Sequence, residues 1–137
     1  DIKDQESVNN LFKNISEDYS DTPDVLINNA GITNDNLLIR MDDSQWFDTI
    51  ETNINSLYKI SKIFVKPMIK KRNGRIICIS SVVASTGNAG QTNYVTSKSG
   101  MVSNNGTIST LGASQSLKRI IANTSKIFCA VWLLLMM

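Results

Sequence analysis

The sequence predicts an α/β fold built on a parallel sheet, and two kinds of segment support this prediction. Short apolar runs at residues 25–27 and 75–79 lie between turn-forming residues, as buried parallel strands do. Helix-periodic stretches at residues 4–19 and 43–71 precede these two runs in turn. This alternation is typical of parallel sheets, because two parallel strands need a crossover between them.

Each predicted element has its own signals in the sequence. The first helix carries one apolar stripe and ends before the turn at residues 21–24, and the second begins with a capping box of Asp42 and Gln45. We expect Pro67 to kink or interrupt the second helix near its end and Gly74 to stop it. Its apolar side chains recur at helical spacing: Trp46, Ile50, Ile54, Leu57, Ile60, Phe64 and Met68.

The pattern changes after residue 100. Residues 1–100 are predicted to form the central part of one domain, and residues 101–137 a divergent tail of uncertain structure. We find no strand signal in that tail and only a weak helical pattern at residues 116–128. The last 11 residues, 127–137, are apolar but too short for a bilayer, which needs ~20.

Composition excludes several classes of site. With 137 residues, 42% hydrophobic and 19% charged, the chain is typical of one soluble globular domain. It contains no histidine, which excludes Ser-His-Asp and Cys-His triads and every His-based metal site. Cys78 and Cys129 lie far apart in sequence, so we expect two buried reduced thiols and no bound metal.

Charge is distributed very unevenly along the chain. All 12 acidic residues fall within residues 1–51, and with three basic residues that stretch has a net charge of −9. Residues 52–137 carry 11 basic residues and no acid, which gives +11. Such a bias can attract an acidic partner, although chance can produce the same skew.

Tyr94 and Lys98 are the first candidates for chemistry. On the helix predicted to begin near Asn93, residues i and i+4 lie on one face, with Cβ atoms about 5–6 Å apart. A lysine ammonium beside a phenol favours the phenolate, so this tyrosine could exchange a proton with a substrate oxygen. The pair also occurs by chance on surface helices, and its meaning depends on its context.

Three further features place polar groups near the same edge of the sheet. Ser81 follows the second strand and Asn28-Asn29-Ala30-Gly31 follows the first, where α/β sheets bind ligands. Asn53 lies within the long helix beside its apolar stripe, where its amide needs a partner such as an ordered water. Each has a purely structural alternative, which is a serine turn, a plain loop or a solvent-facing asparagine.

Jointly these motifs resemble those of the short-chain dehydrogenases/reductases over residues 1 to about 100. The resemblance implies a Rossmann-like doubly wound parallel sheet, of which this chain is an incomplete fragment. Residues 31–41, 51–53 and 87–94 are most similar to the 3-oxoacyl-[acyl-carrier-protein] reductases of fatty-acid synthesis. The motifs that carry the resemblance are Asn28-Asn29-Ala30-Gly31, Asn53, Ser81 and the Tyr94-to-Lys98 segment Y-V-T-S-K.

The resemblance implies reduction of a ketone with hydride from a nicotinamide cofactor. By position, Tyr94 would be the general acid, Ser81 would orient the carbonyl, and Lys98 would bind the nicotinamide ribose and tune Tyr94. Asn53 would hold a water that continues a proton relay from the lysine. The predicted catalytic residues are Asn53, Ser81, Tyr94 and Lys98.

The cofactor implied by the resemblance is NADPH (NADP), which this group of reductases usually uses. Asp1, with Ile2 beside it, matches the position that contacts the adenine, and Asn29 matches the contact of the loop after the strand. The predicted cofactor-binding residues are Asp1, Ile2, Asn29, Ala30, Gly31, Tyr94 and Lys98.

The implied partners are an acyl-carrier-protein-bound substrate, docked by Arg72, and identical subunits in a homotetramer of the full-length protein. Arg72 also has a structural explanation, because a cation at a helix C-terminus opposes the helix dipole. We predict no nucleic-acid partner and no membrane. The predicted compartment is the cytoplasm, or a plastid-like organelle if a leader precedes Asp1.

One family feature is absent from these 137 residues. The glycine-rich T-G-x-x-x-G-x-G turn that holds the cofactor's pyrophosphate does not occur here, and we expect it to precede Asp1. We therefore expect the chain alone to be weakly active or inactive. The alternatives left open are another short-chain reductase of small ketones, sugars or steroids, and a non-catalytic paralogue acting as an interaction module.

Overall fold

A parallel sheet with strand order β1-β2-β3 forms the centre of the fold. The computed structural model describes residues 1–103 and 109–111. β1 spans Val25–Asn28, β2 spans Arg75–Ile79 and β3 spans Ser109–Leu111. Val25 pairs with Arg75 and Asn28 with Cys78, so the carboxyl ends of β1 and β2 lie at the same edge. The predicted α/β class and its parallel sheet are confirmed.

Helices connect the strands at the predicted places. The α-helices are α1 (Gln5–Tyr19), α2 (Asp43–Ile50), α3 (Ser56–Lys70), α4 (Val83–Thr86) and α5 (Thr92–Ser103). A π-helical turn, Glu51–Asn55, joins α2 to α3 without a break, and a 3-10 helix, Leu38–Arg40, precedes α2. α4 and the 3-10 helix were not predicted, because a single turn is too short to show a periodic pattern.

The apolar core lies between α3 and the sheet, with α1 packed on α3. The rings of Phe12 and Phe64 meet edge to face, with centroids 5.2 Å apart and planes at 81°. This core fixes α3 and therefore the π-helical turn that precedes it. Its buried members are Val8, Leu26, Leu57, Ile60, Phe64, Met68, Ile76, Cys78 and Met101.

The buried face of the long helix is polar around the π-helical turn. The Ser56 N–H donates to Glu51 O, which widens this turn by one residue. π-helical turns inside α-helices are frequent at functional sites. The buried polar residues here are Thr49, Thr52, Asn53 and Ser56.

Pro67 does not interrupt α3, which was one of its two predicted effects. The helix continues through Pro67 to Lys70, because buried Phe64 and Met68 on either side of the proline hold it against the sheet. Arg72 takes a left-handed φ of 53°. The Arg72 N–H donates to Ile69 O at 3.0 Å and the Asn73 N–H donates to Met68 O at 3.1 Å. This pair of bonds is a Schellman C-cap.

Gly74 is required for a different reason from the one predicted. The sequence suggested that this glycine stops the helix, but Arg72 holds the left-handed position. A Cβ at Gly74 would lie 2.5 Å from both Cβ and Cγ of Met68. Gly74 is therefore a point of close approach between the start of β2 and the end of α3.

β3 corrects the expectation that residues 101–137 contain no strand. Ser109–Leu111 pairs in parallel with residues 77–79 of β2. Only Leu111 of its three residues is apolar. No alternating pattern therefore marks this strand in the sequence. The weak helix predicted at 116–128 and the apolar segment 127–137 lie outside the described residues. Within the described part of the chain, no helix is long and apolar enough to cross a membrane.

The turn after α3 gives a pair of opposite stability predictions. Gly74→Ala should lower the free energy of unfolding, by roughly 1–3 kcal/mol, because the new methyl group overlaps the Met68 side chain. Arg72→Gly should raise it, by up to about 1 kcal/mol, because glycine accepts the left-handed φ without strain. Urea denaturation measures both, and equal effects of the same sign would contradict this account.

Candidate active site

The residues after β1 line a cleft with a volume of about 470 Å³. Its walls are mainly apolar, with a few polar groups, and its size lies within the ~300–1,000 Å³ typical of small-molecule sites. Leu26 and Phe64 of the core form part of the wall. The cleft brings together five of the predicted cofactor-binding residues: Asp1, Ile2, Asn29, Ala30 and Gly31.

Gly31 connects this cleft to the predicted catalytic residues. A Cβ at Gly31 would lie 3.0 Å from Asn53 Oδ1 and 3.5 Å from Lys98 Nζ. A larger residue would therefore press on the Asn53 amide and fill the space beside the lysine. The absence of a side chain at this position keeps Lys98 Nζ next to the cleft.

Asn53 is buried, with 1% of its surface exposed, and its amide is committed to protein groups. Its Oδ1 accepts from Ile32 N–H at 2.9 Å, and its Nδ2 donates to Ile32 O at 3.0 Å and to Ser97 Oγ at 2.9 Å. Both amide hydrogens are therefore used. A relay water, as predicted from the resemblance, could bind this side chain only through the second lone pair of Oδ1.

Tyr94 and Lys98 lie on one face of α5, one turn apart, as their spacing predicts. Lys98 Nζ lies 5.6 Å from the centroid of the Tyr94 ring. It donates to Ile79 O at the end of β2 at 2.8 Å and contacts Met101 Sδ at 3.8 Å. The lysine therefore joins the phenol ring to the end of the central strand.

Burial lowers the pKa of Lys98, and the nearby Cys78 thiol partly opposes this effect. The residue is 4% exposed, so its ammonium form loses most of its hydration. Burial raises the pKa of Cys78, which remains a buried free thiol as predicted, whereas Cys129 lies outside the described residues. Across residues 1–103 and 109–111, no group of three Cys, Asp or Glu side chains is arranged to hold a metal ion.

Ser80 and Ser81 follow β2 and have different contacts. Ser80 Oγ donates to Lys98 O at 2.8 Å, which ties the strand end to α5. Ser81 is half-buried, and its Oγ accepts a long contact of 3.4 Å from Val83 N–H. The weak contact at Ser81 leaves its hydroxyl able to donate to another oxygen.

Arg72 is placed apart from this site. It is exposed and lines a second cleft, of about 530 Å³, formed by α3 and the start of β2. Lys62 and Arg75 add positive charge to the same cleft, whose lining is otherwise mainly apolar. The structure therefore groups Arg72 with other cations and not with the predicted catalytic residues.

Three residues that position the site, of which Asn93 and Ser97 are buried, were not predicted from the sequence. Ser80 was treated as part of a turn, and Asn93 and Ser97 were not singled out. Ser97 is fully buried, accepts from Asn53 Nδ2 and donates to Tyr94 O at 2.8 Å. The only available signal was position, because Asn93 and Ser97 flank Tyr94 at spacings of one and three residues.

The chain is similar in sequence to known proteins of one family. The sequence model of the family described as short chain dehydrogenase matches residues 1–124, which extends beyond the boundary predicted near residue 100. The 3-oxoacyl-[acyl-carrier-protein] reductase FabG of Haemophilus influenzae is 54% identical over 101 residues, covering 74% of this chain and 41% of that relative. The proteins of the same name from Salmonella typhimurium and Escherichia coli are 45% and 43% identical over 122 residues, or 89% of this chain and 46% of each relative. The chain thus spans less than half the length of these relatives.

The buried ammonium of Lys98 predicts a pH-dependent stability difference. Folding lowers this pKa below its ordinary value of 10.5, so between the two values the unfolded chain binds more protons than the folded one. The buried ammonium therefore destabilises the folded chain at lower pH. As the pH rises through that window Lys98 loses its proton, and this destabilisation disappears. The free energy of unfolding of wild type should rise with pH relative to that of Lys98→Met.

Urea denaturation from neutral pH to pH 10.5 measures this difference, with Lys66→Met on the exposed side of α3 as the matched control. The slope of wild type relative to Lys98→Met should exceed its slope relative to Lys66→Met, because only Lys98 is buried. A parallel pH dependence for wild type and Lys98→Met would contradict the prediction.

Proposed function

Because this chain belongs to the short-chain dehydrogenase family, we propose that the full-length protein is an NADPH-dependent oxidoreductase. We propose that it reduces 3-oxoacyl-[acyl-carrier-protein] to 3-hydroxyacyl-[acyl-carrier-protein] in fatty-acid synthesis. The observation that carries this proposal is the contact of Tyr94 with buried Lys98 beside the cleft at Gly31. The names of the three relatives, all 3-oxoacyl-[acyl-carrier-protein] reductases, support the choice of substrate.

In this proposal a hydride and a proton are added to the carbonyl group of the substrate, each from its own donor. A bound nicotinamide cofactor supplies the hydride that is added to the carbonyl carbon of the substrate. Tyr94 donates its phenolic proton to the carbonyl oxygen, which completes the alcohol, and such acid catalysis contributes ~10²–10⁴-fold. Ser81 donates a hydrogen bond to the same oxygen and so orients the carbonyl.

Lys98 has a donor left for this chemistry. An ammonium has three N–H groups, of which one donates to Ile79 O and a second faces Met101 Sδ. The remaining N–H can bind a ribose hydroxyl beside Gly31. Asn53 acts in this proposal by holding the loop at Ile32.

In this proposal the cleft holds one part of a nicotinamide cofactor. Asp1 and Ile2 would contact the adenine, and Asn29, Ala30 and Gly31 would line the path towards Lys98. The open space at Gly31 is the structural feature that supports this fit, because a Cβ there would lie against Lys98 Nζ.

Arg72 is proposed to dock the acidic carrier protein. The left-handed φ of 53° at this residue favours glycine, so the turn itself does not require an arginine. Lys62 and Arg75 share its cleft and would add to the attraction of an acidic partner. The same cleft is lined mainly by apolar groups, so it suits a partner that presents an apolar patch within a charged surface.

A homotetramer is proposed for the full-length protein. The long helix carries a large apolar side chain, Phe47, that is 64% exposed in the single chain and lies outside the Arg72 cleft. An interface between copies would cover this side chain.

Tyr94→Phe in the full-length protein tests the proposed chemistry. The ring and its contact with Lys98 remain, but the proton donor is lost, so kcat for NADPH-dependent reduction should fall by ~10²–10⁴-fold. Absorbance of the reduced cofactor follows the reaction with an acyl-carrier-protein-bound 3-oxo substrate. Tyr19→Phe, at an exposed tyrosine of α1, is the matched control and should keep its activity. Unchanged turnover in Tyr94→Phe would refute the proposed role.

Arg72→Asn tests the docking proposal separately. Asparagine tolerates the left-handed φ, so the turn after α3 is kept while the charge is removed. The association rate with the acidic carrier protein should fall about tenfold at low salt and the difference should shrink at high salt. Lys66→Gln removes one exposed charge of α3 outside this cleft as the control. Equal rates for Arg72→Asn and wild type would exclude Arg72 from docking.

A further inference from the structure

Asn93, the residue directly before Tyr94, is fully buried and linked to three parts of the fold. Its Nδ2 shares two N–H groups among Asn34 O at 2.9 Å, Gln45 O at 3.0 Å and Thr49 Oγ1 at 3.1 Å. Its Oδ1 accepts from Tyr94 N–H at 2.8 Å. One side chain therefore connects the loop after β1, the helix α2 and the first turn of α5.

The same loop is also held through the side chain of Gln45. Its Nε2 donates to Asn34 Oδ1 at 3.1 Å, and its Oε1 accepts from Asn36 Nδ2 at 3.1 Å. Asn36 N–H in turn donates to Gly90 O at 2.8 Å, in the segment that leads into α5. The contacts of Asn93 thus belong to a network that fixes residues 34–36 against both helices.

Tyr94 lies between two such attachments. On one side, Asn93 binds the loop at Asn34, and on the other, Ser97 accepts from Asn53, which binds the same loop at Ile32. The two attachments are four residues apart on α5, or about one helical turn. The position of the Tyr94 side chain relative to the loop is therefore set from both directions.

We propose that Asn93 is a positioning residue for the reaction, which sets where the Tyr94 hydroxyl lies relative to the loop at residues 32–36. This inference rests on the proposed function, because it assumes that Tyr94 is the proton donor. A misplacement of about 1 Å at a reacting group can cost ~10²-fold in rate. Asn93→Ala should therefore lower kcat ~10- to 100-fold while the cofactor dissociation constant stays within about twofold, because Asn93 is not among the residues that line the cleft.

A double-mutant experiment on the full-length protein separates this role from a general loss of stability. Wild type, Asn93→Ala, Tyr94→Phe and the double variant are compared for kcat, cofactor affinity and folded fraction. If Asn93 acts through Tyr94, Asn93→Ala should cause no further loss in the Tyr94→Phe background, within about twofold. Multiplied losses in the double variant, or a kcat for Asn93→Ala equal to that of wild type, would overturn the proposal.

Two further variants keep the test decisive. Asn10→Ala changes an exposed asparagine of α1 and should leave kcat unchanged. Thr49→Val removes one of the three acceptors of Asn93 and retains the other two, so its loss in kcat should be smaller than that of Asn93→Ala. A loss in Thr49→Val as large as in Asn93→Ala would contradict the proposed role. If wild type itself fails to reduce the ketone, the proposed function fails first, which distinguishes the two outcomes.

Discussion

The pairing of the Asn53 amide with the Ile32 peptide is the contact on which the geometry of the site depends. The segment from residue 29 to residue 37 has no secondary structure, so its backbone groups need partners outside a ladder or helix. Asn53 satisfies both the N–H and the C=O of Ile32 at 2.9 and 3.0 Å. Loss of such a buried partner leaves polar groups unpaired, at about 1–3 kcal/mol each. The loop that forms one wall of the cleft is therefore held by a residue of the long helix.

The π-helical turn explains how an asparagine can take this position. In a regular α-helix, Asn competes with the backbone for hydrogen bonds and is disfavoured in the interior. At residues 51–55 the helix is widened by one residue, and its buried face there is polar. The helix thus gives up apolar packing over one turn, while Leu57 and Phe64 further along keep α3 on the sheet. Stability and site geometry are supplied by different parts of the same helix.

Features that depend on residues close together in sequence were predicted, whereas contacts between residues far apart in sequence were not. The strands β1 and β2, the long helices and the Tyr94–Lys98 pair were predicted, because local sequence patterns and i to i+4 spacing determine them. The partners of Asn53 were not, because Ile32 and Ser97 lie 21 and 44 residues away in sequence. Gly74 shows the same limit: its sequence context indicated a helix stop, whereas the Met68 side chain in space is what requires a glycine.

β3 escaped prediction for a related reason. Its residues lack the apolar alternation of a strand, and it is defined by its pairing with β2. The sheet that β1 and β2 already form supplies the hydrogen-bonding edge on which such a segment can lie. A short strand of this kind depends on tertiary context, which no local pattern in residues 109–111 records.

Helix α5 shows why hydrogen bonds, and not apolar area, set the position of the reacting groups. Among its described side chains, the buried ones are Asn93, Ser97, Lys98 and Met101, of which only Met101 is apolar. Apolar burial is non-directional and tolerates small shifts between packed surfaces, whereas hydrogen bonds weaken steeply with distance and angle. Lys98 bonds to the end of β2, Asn93 to the loop and α2, and Ser97 to Asn53. Because these bonds run in three directions, α5 cannot slide or rotate without breaking at least one of them.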